Sequence, residues 1–206
     1  MGGCPRVVAY VDESIMTDEI KWLQRPKRVE FRRVPWADCP PFIRKAFSSW
    51  KPLYEFVGPE DLAFVWHKYL VRVRHGNERK QGPICDLASV PWWVPPMLAS
   101  RNTASNYLDV GALVHDLIHL GCASFPGVES RRQQGILADA LMLALWKDAL
   151  PEDAGWWKRG KPRRKWLGVR AAAPFLFRPD PDNLKPEWIT ISDMSEESQF
   201  TVEEEK

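Results

Sequence analysis

Proline sets the first limit on this chain. Eighteen of its 206 residues are proline. Each one fixes φ and removes a backbone donor, so the elements must be short and rigidly joined rather than drawn out into long helices. Eleven tryptophans accompany them, which points to broad apolar surfaces pinned by indole N–H bonds. Hydrophobic residues make up 45% of the chain, enough for a real core. The length suits one domain, or one domain with extensions.

Charge and cysteine usage exclude several classes. Basic residues number 29 and acidic residues 27, for a net charge of +2. A protein dominated by a polyelectrolyte partner is therefore not expected, although a local patch is compatible with that balance. Cys4, Cys39, Cys85 and Cys122 form no C-x-x-C pair, so a Cys-only zinc site is poorly supported. "MGGCPRVVAY" lacks the basic segment and apolar core of a secretory signal, and position 6 is not the Ser or Thr of a myristoylation signal. Apolar runs such as "AAAPFLF" are too short to span a bilayer. The expectation is a soluble, reduced, intracellular-type protein without membrane insertion.

Three zones follow from composition. Residues 1–58 read as a Pro-rich N-terminal extension with short strands, at Val7–Val11 and in "KRVEFRRV", where Val29, Phe31 and Arg33 alternate with charged residues. "DCPPFIRKAFSSW" reads as a Pro-initiated short helix with Phe42 and Phe47 turned inward. Residues 59–150 form the core zone. There "DLAFVWHKYLVRVRHG" fits both a helix and a strand face, with strand favoured for its "YLVRVR" half. A helix from Tyr107 to Leu120 stops at Gly121, and a second runs from an N-cap at Ser130 to about Lys147, with Ile136, Leu137, Leu141, Ala144 and Leu145 as its apolar stripe. Residues 151–206 are a basic, aromatic extension ending in an acidic tail. The fold class expected is α+β: a small antiparallel sheet followed by two core helices, flanked by Pro/Trp-rich extensions.

The most informative residues lie in "DVGALVHDLIHLG", Asp109 to Gly121. At helical spacing Ala112, His115, Asp116 and His119 share one side, with Gly111 and the fourth polar residue, Asp109, close by. Two imidazoles four apart can chelate one transition metal, with an aspartate as ligand or as the group that orients an imidazole. Asp86 in "CDLASVP" is the candidate third ligand, and zinc the candidate ion. A centre of Asp86, His115 and His119 with an open position would activate water, with His115, Asp116 and Asp86 as the catalytic group. The competing reading is plainer: four polar residues on one stripe of an amphipathic helix are the solvent face, or hydrogen-bonding histidines at a core edge. In the same spirit Asp86 and Ser89 suit a local turn closed by Pro91. Ser89 also lacks the glycine-flanked elbow of a serine hydrolase.

"CDLASVP", "GALVHDLIH" and "SRRQQGILADALMLAL", in that order, resemble the domain of unknown function 1353, a family found mostly in phages and prophages. The resemblance covers about residues 60–147 and rests on Asp86, Ser89, Pro91, His115, Asp116 and Arg131. Three positions depart from the family pattern. His119 stands where an aromatic residue is usual, and Trp92 where a basic one is common. Gln134-Gly135 replaces an Ala-Asp pair, leaving Asp139 one turn later as a partial substitute. The resemblance implies a phage setting, in the virion or the host cytoplasm. Without catalysis, Asp86, Ser89, His115, Asp116, Arg131 and Asp139 form a structural polar cluster in which Asp86 accepts from His115 or Arg131 and ties the turn to both helices.

"WWKRGKPRRKW" adds Trp156, Trp157, Lys158, Arg159, Arg163, Arg164, Lys165 and Trp166. Interleaved Trp and Arg can stack on unpaired bases, but a solvated connector anchored by Trp156, Trp157 and Trp166 is the favoured reading. Three functions are thus ranked. First is a virion-associated structural or accessory protein contacting other phage structural proteins, or copies of itself. Second is a small metal-dependent hydrolase acting on cell-wall or phosphoester substrates. Third is a nucleic-acid or host-factor binder using residues 156–166.

Overall fold

A computed structural model describes residues 19–25, 29–49, 51–77, 80–86, 106–150, 153 and 187–194. The strand expected at Val7–Val11, the Ser89 turn and the 156–166 segment lie outside the described residues.

The α+β expectation holds. Two antiparallel sheets and two main helices pack around one core. The first sheet has the order β1 (Ile20–Gln24), β4 (Leu62–Trp66), β5 (Tyr69–Val73), β7 (Ile189–Asp193), and the second has β2 (Phe31–Val34), β3 (Leu53–Phe56), β6 (Ile84–Cys85). The stretch that fitted both helix and strand is a β4–β5 hairpin, with Trp66 opposite Tyr69 across a two-residue turn. His67, first in that turn, has φ 54°, the left-handed backbone that tight hairpin turns need. Alternation then decides what is buried: Leu62, Phe64 and Trp66 on one strand meet Tyr69, Val71 and Val73 on the other.

Two long-range pairings frame the hairpin. Ile20 pairs with Trp66 at one edge, and Val73 with Ile189 at the other. In the second sheet Glu55 is buried, yet its carboxylate accepts from the Gly82 N–H at 2.6 Å and from Arg32 at 2.7 Å. The short helix α1 (Pro41–Ala46) begins on proline as expected and buries Phe42 and Ile43, with Phe47 just beyond its end.

The helices α2 (Asn106–His119) and α3 (Arg131–Asp148) pack against each other. Gly121, with φ 71°, ends α2 as expected: its N–H reaches the Ile118 carbonyl at 2.8 Å, and that of Cys122 reaches Leu117 at 2.9 Å. Ser130 stands at the N-cap of α3, but its hydroxyl makes no capping bond. The turn is held by Gln134, which accepts from the Phe125 N–H at 2.7 Å and donates to the carbonyls of Phe125 and Val128 at 3.0 and 2.6 Å. The helices approach closely at Gly111, where a Cβ would stand 2.6 Å from Trp146 Cδ1. At its far end α3 meets β1, Trp22 donating its indole N–H to Asp148 at 2.8 Å. Among the described residues no helix is long and apolar enough to cross a membrane.

Candidate metal centre

Helix α2 is not amphipathic where it matters. Val110, Ala112, Leu113, Val114, Leu117 and Ile118 are buried, and so are His115 and Asp116, 3% and 4% exposed. Of the readings open for the polar stripe, the solvent face is the one that fails, because His115 and Asp116 lie inside the protein. A helix buried on all sides carries polar groups only where they are partnered or used. His115 and His119 sit one turn apart, with ring centroids 4.2 Å apart and planes inclined by 44°.

Helix α3 supplies what faces them. His115 Nε2 lies 3.0 Å from Asp139 Oδ1, and its Nδ1 lies 3.2 Å from Asp116 Oδ1. His119 Nε2 is 3.8 Å from the same Asp139 oxygen, too far for a hydrogen bond. One donor atom each from His115, His119 and Asp139 falls within 4.8 Å of the others.

The electrostatics follow from this geometry. Neutral imidazole has one N–H, so bonding to two carboxylates requires the doubly protonated ring. Burial works against that charge, but the hydrogen bonds His115 donates to Asp116 and Asp139 outweigh it and hold His115 up at about 9. Burial would likewise raise Asp139, but its bond to His115 and the neighbouring imidazoles bring it down to about 2. Asp116 is pushed up to about 6, first by burial and then by the charge of Asp86, despite its bond to His115. Burial pulls His119 down, assisted by the positive His115.

Asp86, expected as the third ligand or as a partner of His115, is directed elsewhere. It pairs with Lys51 at 2.8 Å, with both side chains largely covered. Both nitrogens of His115 already face Asp116 and Asp139, which leaves no ring nitrogen for Asp86. Arg131 is exposed in the first turn of α3. Asp139, read from the sequence as a partial substitute and as a member of the structural polar cluster, is the carboxylate that meets His115 Nε2. Lys51 was missed altogether. Nothing in "WKPLYEF" marks it, because its role depends on a partner 35 residues away.

Does this group fit a cation? Among the described residues, the metal-free carboxylates of Asp86, Asp116 and Asp139 face one ammonium, Lys51, and one imidazolium, His115, so that these five groups sum to a single negative charge. Asp116 Oδ2 is buried and accepts no hydrogen bond among the described residues. Exchanging the His115 proton for a divalent ion brings the sum to zero. The spacings agree as well: with bonds of about 2.0–2.1 Å, tetrahedral donors sit roughly 3.3 Å apart. The two distances to Asp139, 3.0 and 3.8 Å, bracket that figure, while the two imidazole donors, within 4.8 Å of each other, would have to draw together around an ion. His115 would then bind through Nε2 while Asp116 holds its Nδ1–H, the support a ligating histidine normally has.

No protein-family model matches the chain, nor does any curated protein or solved structure.

Proposed function

We propose that the protein is a metal-dependent hydrolase whose centre is His115, His119 and Asp139, with zinc the ion best suited to two imidazoles and a carboxylate. The observation that carries this reading is the convergence of three donor atoms from two helices, with the remaining nitrogen of His115 already held by Asp116. Three ligands rather than four among the described residues match the pattern of reactive rather than purely structural zinc sites. A divalent ion there supplies Lewis-acid chemistry suited to phosphoester or cell-wall amide hydrolysis. Asp116 orients His115 and compensates its charge. The Lys51–Asp86 pair sets the charge around Asp116.

Elemental analysis and calorimetry of the full chain test this directly. We expect one zinc per chain, abolished by His119→Ala. Free zinc at a hundredfold excess over Kd should stabilise the fold by about 2.7 kcal/mol. A chain that binds no stoichiometric metal and melts identically with and without zinc refutes the proposal.

One observation favours a second reading. The hydrogen bonds of His115 to Asp116 and Asp139 are complete with a proton alone, so the cluster can serve purely to fix α2 on α3. The protein would then be a phage structural or accessory component, bound to other particle proteins or to copies of itself. A monomer absent from purified particles by mass spectrometry sinks that alternative.

A further inference from the structure

The polar cluster is covered unevenly. His115, Asp116 and Asp139 are 3%, 4% and 5% exposed, whereas the His119 side chain keeps 15%. Against that more open edge stands Gly135, half-buried and one turn before Asp139 on α3. A Cβ built on Gly135 would lie 3.4 Å from His119 Cε1 and 4.0 Å from Nε2, with no third described atom within 4 Å.

Glycine is the poorest helix former after proline, so a glycine inside a helix calls for a reason. Gly111 has one, because Trp146 leaves no room for a Cβ. Gly135 has neither that crowding nor a left-handed backbone. An alanine would fit there at ordinary contact distance and suit the helix better. What the glycine preserves is space beside His119 Nε2, next to the point on which the three donor atoms converge.

We infer that Gly135 keeps an entry open to the metal's remaining coordination position, so that a small oxygen-donor ligand, or the reacting oxygen of a substrate, arrives between His119 and α3. The inference rests on the metal reading proposed above. It makes Gly135 a determinant of access: side chains at this position fill the entry in proportion to their size while leaving the donor atoms in place.

Cobalt(II) can replace zinc and reports on its own coordination through its visible absorption. The full chain and the variants Gly135→Ala, Gly135→Val and Gly135→Leu are loaded with cobalt and titrated with acetohydroxamic acid, a chelating oxygen donor. The expected result is a saturable spectral change in the unsubstituted protein. Among variants that retain the cobalt bands, the apparent Kd for the hydroxamate should rise with side-chain size, by about tenfold or more at leucine.

A hydroxamate Kd that does not change with the size of residue 135 overturns the inference, because access then lies elsewhere. A cobalt spectrum that hydroxamate does not alter in the unsubstituted protein also overturns it. So does loss of cobalt in all three variants, since the glycine would then be a packing requirement of His119. Absence of any cobalt spectrum in the unsubstituted chain is a different failure, because it removes the metal reading itself.

Discussion

Asp139→Asn separates charge from shape at the centre of the cluster. The amide is nearly isosteric with the carboxylate, and its oxygen can still accept from His115 Nε2–H, now 3.0 Å from Asp139. What disappears is the negative charge. Lowering the Asp139 carboxyl from 3.8 to about 2 corresponds to roughly 2.5 kcal/mol in favour of the ionised form in the fold, at about 1.4 kcal/mol per pH unit. A carboxyl held low stabilises the fold above its unfolded value and loses that contribution only as pH falls through its folded value. Near pH 7 the whole contribution is present. Urea unfolding in metal-free buffer should therefore give a loss of about 2 kcal/mol, with an unchanged m-value. The pH dependence has the opposite sign at the other end of the contact. His115 is held up at about 9, so its charge stabilises the fold below about 6.5 and ceases to do so as pH rises through about 9. The gap between the two proteins should shrink by about pH 10, where His115 is neutral in both. A loss below about 0.5 kcal/mol at neutral pH, or one that persists undiminished in alkali, would refute a charged His115 between two carboxylates.

Two further outcomes concern the frame around the site. Gln134→Ala removes three bonds to Phe125 and Val128 and should cost about 1–3 kcal/mol, with faster hydrogen exchange at the Phe125 amide as the local signature. Gly111→Ala drives a methyl to 2.6 Å from Trp146 Cδ1 and should cost about 1–3 kcal/mol in thermal unfolding. Gly135→Ala, without that clash, should leave stability level or slightly raised.

How far could these features be read from the chain? The two main helices were legible because their ends are chemical: Gly121 terminates one, and the other begins after Ser130. The His-Asp pair was legible as well, and Asp139 could be placed on the right helix by spacing. Its contact with His115 was not, since that depends on how α3 lies against α2. The β4–β5 hairpin was half hidden because His67-Lys68 carries none of the Gly or Asn that usually marks a two-residue turn. The partners of that hairpin, β1 and β7, come from opposite ends of the described chain, and no local pattern announces such pairings. The choice between a solvent face and a buried one for the polar stripe stayed open for a related reason. Periodicity says which residues share a face, whereas the neighbours decide whether that face meets water.

The charge balance also explains how one cluster serves two readings without rearrangement. His115 Nε2 either donates its proton to Asp139 or offers its lone pair to a cation, and Asp116 holds the ring's other nitrogen in both cases. Under the metal reading, proton and metal would compete for one atom in a frame set by the close approach of α2 and α3 at Gly111. Metal binding should then release about one proton per ion near neutral pH, since His115 starts charged. A cluster serving architecture alone would have no such exchange. Proton release thus distinguishes a metal centre in its metal-free form from an ion network that only ties two helices together.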